Sequence, residues 1–140
     1  MTQKLVLTLA ATLALASAVQ AEGNKSKVDP SKLPPAGTKQ GVTYAGDIKA
    51  ILDKSCTKCH GAEKAKAKLR LDSLAGALKG GENGKIIEAG KSAESPMVHS
   101  IARLGDEDYW MPPKDNKAGS PQLTKDQVGL IRAWIDQGAK

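Results

Sequence analysis

Two cysteines and a histidine stand together at Cys56, Cys59 and His60, in the spacing C-x-x-C-H. The 140-residue chain has no other cysteine. Two thiols three positions apart lie on one side of a helical turn, where they can add to the two vinyl groups of a porphyrin. The histidine that follows can place its imidazole under the iron as an axial ligand. The pattern therefore predicts one covalently attached haem c, anchored by Cys56 and Cys59 and ligated by His60.

Two other kinds of site use a cysteine pair with this spacing. A redox-active thiol pair needs a thiolate of low pKa at the N-terminus of a helix, among alternating strands and helices. Here an apolar helical pattern precedes the pair, and no strand-rich pattern surrounds it. A zinc site usually has four ligands, and two cysteines with two distant histidines form an irregular set. Haem attachment is accordingly the favoured interpretation.

The second axial ligand of the iron has three candidates in the sequence. Met111 lies in the stretch W-M-P-P, where the prolines restrict the backbone and can hold a thioether sulfur in place. Met97 and His99 lie on a predicted helix that begins after Ser95. On such a helix a methionine more often belongs to the core, and a histidine more often lies at the surface. Met111 is the preferred ligand, followed by His99 and then Met97.

Short helices joined by long loops are predicted to position these residues. An apolar face at helical spacing runs from Tyr44 towards the cysteines. Another short helix is predicted over residues 73–79, and a third has Ser95 as its N-cap followed by a proline. The clearest helix has a capping box at its start, at Thr124, and an apolar stripe that ends before Gly138. The fold class is therefore all-α, with short helices wrapped around the haem.

The first 21 residues have the organisation of a secretory signal peptide. Lys4 supplies the positive charge, an apolar stretch follows, and small residues offer cleavage after Ala18 or Ala21. The apolar stretch is shorter than the ~20 residues needed to span a bilayer. Proline, glycine, lysine and serine predominate in residues 22–41, which predicts a flexible linker before one folded domain at residues 42–140. The protein is therefore expected in the periplasm.

Charge indicates what kinds of partner to expect. The formal net charge is +6, and several lysines surround the attachment motif. They can steer an acidic redox partner, although such a run is usually only a solvated face. Nucleic acid is not an expected partner, because no basic stripe is interleaved with aromatic residues. Docking on a membrane complex stays open. Arg70 either pairs with a haem propionate or is solvated. The lysines that surround the attachment motif are Lys54, Lys58, Lys64, Lys66 and Lys68.

Several short stretches occur in an order that is typical of one protein family. From residue 44 to 139 the sequence resembles the class I c-type cytochromes, and more narrowly the cytochrome c domain abundant in planctomycetes. This resemblance implies a cytochrome c-like fold with crossed terminal helices, His60 and Met111 as axial ligands, and electron transfer as the role. The stretches are C-T-K-C-H-G at 56–61, L-R-L-D-S at 69–73, G-G at 80–81, M-P-P at 111–113, L-T at 123–124 and W-I-D-Q-G at 134–138.

One departure from the family pattern concerns the histidine. Many class I cytochromes have a proline soon after the motif, whose carbonyl fixes the proximal imidazole. No proline lies between His60 and Pro96. A carbonyl in the stretch from Lys68 to Leu71 is therefore expected to accept the His60 N–H.

These observations predict a monohaem electron carrier that is not an enzyme and exchanges electrons with redox proteins. Two alternatives stand beside it. The chain can be the haem subunit of a larger enzyme, or it can be a haem peroxidase or sensor whose sixth iron position is open. High-spin iron, or fast binding of carbon monoxide to the reduced protein, distinguishes an open site from a filled one.

Overall fold

A computed structural model describes residues 28–140, so the predicted signal peptide at residues 1–21 lies outside the described part. Within residues 28–140 there is no β-strand, and only isolated bridges join His60 to Ala65 and Gly81 to Gly84. The predicted all-α class is confirmed. No helix in these residues is long and apolar enough to cross a membrane. The helices are α1 (Lys49–Ser55), α2 (Leu74–Lys79), α3 (Pro96–Ile101) and α4 (Lys125–Asp136).

Tighter and wider helical turns complete the secondary structure. A π-helical turn, Tyr44–Ile48, runs directly into α1, so the two form one continuous segment. The 3-10 turns are Pro30–Lys32, Lys66–Lys68, Ser92–Glu94 and Glu107–Tyr109.

The core forms where the segment leading into α1 packs on α4. Tyr44, Ile48 and Leu52 recur every four residues, and all three are buried, as the apolar periodicity predicts. The ring centroids of Tyr44 and Trp134 lie 6.0 Å apart. The Lys140 carbonyl accepts both the Tyr44 N–H, at 2.8 Å, and the Trp134 indole N–H, at 2.9 Å. The segment that leads into α1 is thereby joined to the C-terminal end of the chain, which fixes the position of α1 directly before the attachment motif.

The N-cap residues of α3 and α4 are those that the sequence predicts, but one of them makes no capping hydrogen bond. The capping box of α4 is present, with the Gln127 N–H donating to Thr124 Oγ1 at 3.2 Å and the Thr124 N–H donating to Gln127 Oε1 at 2.9 Å. Ser95 occupies the predicted N-cap position of α3, but its side chain does not cap the helix. Ser95 Oγ instead accepts from the Glu88 N–H at 2.9 Å and donates to the Lys91 carbonyl at 3.0 Å. This serine therefore ties down the preceding loop.

The end of the segment predicted as a linker lies against α4. The Gly37 N–H donates to the Gly129 carbonyl at 2.8 Å, and Arg132 donates to the carbonyl of Pro34. Gly129 permits this approach, because a Cβ at that position would lie 2.7 Å from the Pro35 carbonyl oxygen. Composition predicts a flexible linker, whereas residues 34–37 contact α4 because their backbone groups find partners there. The bounds of linker and domain stay a prediction.

Candidate functional site

The C-terminal end of α1 turns the chain into the C-x-x-C-H motif. Cys56 is the C-cap residue, and its N–H donates to the Leu52 carbonyl at 2.7 Å. The Cys56 carbonyl then accepts the Cys59 N–H at 3.1 Å and the His60 N–H at 2.9 Å. These bonds form a single compact turn that carries both thiols and the imidazole. Cys56 is buried, Cys59 is half-buried, and both thiols are free.

The environment of Cys56 is unlike that of a redox-active thiol. Burial raises the pKa of the Cys56 thiol to about 12, and the neighbouring Cys59 adds to the effect. The pair also lies at the C-terminus of α1, where the helix dipole disfavours a negative charge. A nucleophilic thiol pair requires the opposite, a lowered pKa at a helix N-terminus. The geometry therefore favours a protonated thiol that is a structural anchor.

A backbone carbonyl holds the imidazole of His60. The Nδ1 atom lies 3.1 Å from the Lys66 carbonyl oxygen. A carbonyl can only accept, so Nδ1 carries the proton and Nε2 keeps its lone pair. Burial lowers the pKa of this half-buried histidine, against the raising effect of the carbonyl, so the neutral imidazole is favoured. A neutral ring with a free Nε2 is the form that ligates a metal.

The predicted acceptor stretch for the His60 N–H is confirmed in part, because the backbone of Leu69, inside that stretch, also raises the pKa of His60. The expected stretch begins at Lys68, but the carbonyl within hydrogen-bonding distance of Nδ1 belongs to Lys66. The Lys66 N–H donates to the Cys59 carbonyl at 2.9 Å, which brings this residue back over the motif. A left-handed backbone at Ala67, with a φ of +54°, then sharpens the 3-10 turn. Neither the Lys66 hydrogen bond nor the left-handed backbone at Ala67 could be predicted from the types of residue at these positions.

A chain of hydrogen bonds joins the histidine to the core. The His60 carbonyl accepts the Leu71 N–H at 2.7 Å, and the Leu71 carbonyl accepts the buried Tyr44 hydroxyl at 2.9 Å. Both backbone groups of Leu71 are thereby used, one towards the motif and one towards the segment before α1. The backbone of His60 is held from two sides, by this link and by the turn at Cys56.

Met111 lies in a loop that other residues hold firmly. Its N–H donates to the Ser100 carbonyl at 3.1 Å, and Arg103 Nη2 donates to the Pro112 carbonyl at 2.6 Å. Lys58, inside the motif, donates to the Ala118 carbonyl at 3.1 Å across sixty positions of sequence. The loop that follows Met111 is therefore tied to the turn that carries His60. Met111 itself is half-buried.

The other two candidates for the sixth ligand have different surroundings. Met97 is 5% exposed and belongs to the hydrophobic core, as expected for a methionine on α3. His99 is half-buried and its Nε2 lies 2.7 Å from the Ala93 carbonyl oxygen, so that ring nitrogen is already engaged. Of the three side chains, Met111 is the one without a core or hydrogen-bonding role of its own among the described residues.

The charged residues near the motif fall into two groups. Arg70 makes two hydrogen bonds to the Asp72 carboxylate, at 2.7 and 2.5 Å, so its charge is paired within the chain. The five lysines around the motif are exposed, and Lys58 is the one with a bond to the loop after Met111. Residues 28–140 contain no group of three or more His, Cys, Asp or Glu side chains placed to hold a metal ion, so a zinc site finds no support there.

Comparison with known proteins gives one match. The family described as Planctomycete cytochrome C matches residues 56–115, a stretch that includes Cys56, Cys59, His60 and Met111. No curated protein and no solved structure matches the chain. The match covers the motif and the loop up to Met111, and it leaves out the terminal helical segments. Over residues 56–115 the chain resembles the planctomycete cytochrome c domain, which indicates a c-type cytochrome.

Proposed function

We propose that this chain is an exported, periplasmic monohaem c-type cytochrome that carries electrons between redox proteins. In this role Cys56 and Cys59 anchor the haem, while His60 and Met111 are the axial ligands of the iron. The haem supplies the one-electron chemistry when bound, and the protein supplies attachment, ligation and a partner surface. The bond from His60 Nδ1 to the Lys66 carbonyl is the observation that carries the proposal, because it leaves Nε2 ready to ligate a metal.

The two cysteines have the properties that attachment requires. Each thiol adds across a vinyl C=C bond, forming one S–C bond while its proton goes to the neighbouring carbon, so attachment needs no oxidant or reductant. The thiols are free and belong to one turn, with the imidazole directly after them. Burial of Cys56 also suits a thioether, which is uncharged and apolar.

The proposed ligand Met111 is supported by its surroundings. Ser100 and Arg103 hold the backbone on either side of its side chain, and Lys58 ties the following loop to the motif. A thioether ligand opposite a histidine raises the reduction potential relative to two histidines. If His60 and Met111 held the iron from both sides, little rearrangement would accompany electron transfer. These properties suit a carrier better than an enzyme that binds a substrate at the iron.

The partner surface is proposed from charge. The exposed lysines around the motif would attract an acidic face on a redox partner and accelerate encounter. Electron-transfer rates with such a partner should fall steeply as ionic strength rises, because exposed charges are screened over a Debye length of about 8 Å at physiological salt.

Haem staining after denaturing electrophoresis tests the proposal most directly. A covalent haem remains on the denatured chain, whereas a non-covalent one is lost. Wild-type protein from the periplasm should stain, and Cys56→Ala, Cys59→Ala double-variant protein of equal amount should not. An unstained wild-type band would overturn the proposal and leave a thiol oxidoreductase as the function to test.

The visible spectrum of Met111→Ala tests the sixth ligand. Oxidised wild type should be low-spin and show the weak red Fe–S(Met) band, and Met111→Ala should lose that band. Met97→Leu is the matched control, because it alters a buried methionine that has no proposed contact with the iron, so its band should persist. High-spin iron in wild type, or fast binding of carbon monoxide to its reduced form, would support a peroxidase or sensor with an open site.

A further inference from the structure

Arg103 and Trp110 form a pair beside the loop that carries Met111. Arg103 lies just after α3, and Trp110 directly precedes Met111. The Arg103 Cζ atom lies 5.5 Å from the centroid of the Trp110 ring, and Lys114 Nζ lies 5.0 Å from the same centroid. The indole is thus in contact with two cations, an arrangement that stabilises their charge over the ring.

Two donors of this pair have no acceptor. The Nε of Arg103 and the Nε1 of Trp110 are buried and have no hydrogen-bond partner within residues 28–140. No other buried side-chain nitrogen or oxygen in that part of the chain is without one. Buried donors are almost always satisfied in folded proteins, because leaving one unpaired forfeits its bonds to water. That both exceptions belong to neighbouring side chains indicates a common missing acceptor.

The charge of the region indicates an anion as that acceptor. Arg103 forms no ion pair within residues 28–140, whereas the nearby Lys114 is paired with Glu107 at 2.9 Å. The Nη2 of Arg103 is already used by the Pro112 carbonyl, so Nε is one of the donors that remain for another group. A guanidinium and an indole N–H together suit a carboxylate, whose two oxygens can accept one bond from each.

We propose that Arg103 and Trp110 donate to one propionate carboxylate of the haem. This inference rests on the proposed function. Arg103 would then hold the carboxylate with one edge of its guanidinium and the Pro112 carbonyl with another, linking the cofactor to the Met111 loop. Arg70, the arginine that the sequence analysis considers for a propionate, is already paired with Asp72.

The reduction potential reports this contact. A carboxylate near the iron favours the ferric state, and a guanidinium that neutralises it favours the ferrous state. If Arg103 loses its charge, or Trp110 its N–H donor, less of the negative charge on the carboxylate is neutralised. The midpoint potential should therefore fall in both variants. The vibrational bands of a labelled carboxylate report hydrogen bonding at the propionate itself.

The experiment uses holoprotein with haem labelled with ¹³C at the propionate carboxyls. Arg103→Gln removes the charge, and Trp110→Phe keeps a ring while deleting the N–H donor. Both should lower the midpoint potential and shift the labelled carboxylate bands in the redox-difference infrared spectrum. Arg103→Lys should recover part of the potential. Lys114→Gln is the matched control, because this exposed cation also contacts the indole; its shift should be less than half that of Arg103→Gln.

Each outcome decides the inference. Unchanged potentials and bands in Arg103→Gln and Trp110→Phe, with haem attached, would overturn it and leave the proposed function standing. The same holds if Lys114→Gln shifts the potential as much as Arg103→Gln. Wild type without covalent haem would instead refute the proposed function. If Arg103→Gln fails to accumulate, Trp110→Phe and Arg103→Lys still test the inference. The Fe–S(Met) band must persist in these variants. Its loss would overturn the inference, because Arg103 and Trp110 would then only position Met111.

Discussion

Replacing Tyr44 by phenylalanine should weaken the connection between the core and His60. Tyr44 is 6% exposed, and its hydroxyl donates to the Leu71 carbonyl at 2.9 Å. The substitution keeps the ring against Trp134 but leaves a buried carbonyl without this donor. Removing one partner of a buried hydrogen bond costs about 1–2 kcal/mol. We expect the free energy of unfolding to fall by that amount.

Urea unfolding followed by far-ultraviolet circular dichroism measures this loss, because the signal does not depend on tryptophan emission near a haem. The chain provides a matched control in Tyr109, the other tyrosine, which is 64% exposed. Tyr109→Phe should change stability by less than about 0.5 kcal/mol. Hydrogen exchange of the Leu71 amide, which donates to the His60 carbonyl, should accelerate in Tyr44→Phe alone. A stability within about 0.3 kcal/mol of wild type would refute the argument.

The pH dependence of the same variant provides a second test. Burial raises the pKa of Tyr44 above its ordinary value of 10.0. Above pH ~10 the unfolded chain ionises this phenol while the folded chain keeps it neutral, so the unfolded state binds fewer protons and stability falls as pH rises. Tyr44→Phe lacks this contribution, and lysine titration is common to both proteins. The stability difference between wild type and Tyr44→Phe should therefore shrink above pH ~10, and a constant difference would contradict burial of the phenol.

Three further predictions concern other parts of the molecule. Gly129→Ala should cost about 1–3 kcal/mol in urea unfolding, because the new Cβ would lie 2.7 Å from the Pro35 carbonyl oxygen; unchanged stability would show that residues 28–41 do not need this contact. In haem-free protein at pH 8, Cys56 should react with iodoacetamide about 10³-fold more slowly than in urea, since a pKa of about 12 leaves little thiolate; mass spectrometry measures the rate, and equal rates would refute it. Thr124→Ala removes the acceptor for the Gln127 N–H and should cost about 1 kcal/mol of unfolding free energy, whereas a neutral effect would mean that the capping box does not stabilise α4.

The sequence was sufficient for features that depend on neighbouring residues along the chain. Helical segments follow from apolar spacing and capping residues, and the segment into α1 and α4 form as predicted. The family resemblance over residues 56–115 likewise depends on the order of short motifs, with Met-Pro-Pro at a distance from C-x-x-C-H. Local patterns of this kind depend only on the types of residue and their spacing, so they can be found in a single sequence.

Contacts of backbone groups could be identified only from the tertiary structure. Carbonyls accept hydrogen bonds whatever side chain they belong to, so nothing in the sequence identifies Lys66 as the acceptor for His60, or Pro34 as the acceptor for Arg132. Ser95 has the residue type of an N-cap, yet nearby backbone groups of the preceding loop compete successfully for its hydroxyl. The outcome depends on which partner the fold brings closest.

Arg103 and Trp110 show the same division between sequence and fold. An arginine seven residues from a tryptophan carries no signal of its own. Only packing shows that a nitrogen of each side chain is buried without an acceptor, next to the loop of Met111. The sequence by itself predicted the covalent chemistry at Cys56 and Cys59, because spacing along the chain controls where two thiols lie. The fold decided which groups surround His60 and Met111, because those neighbours are distant in sequence and meet only after packing.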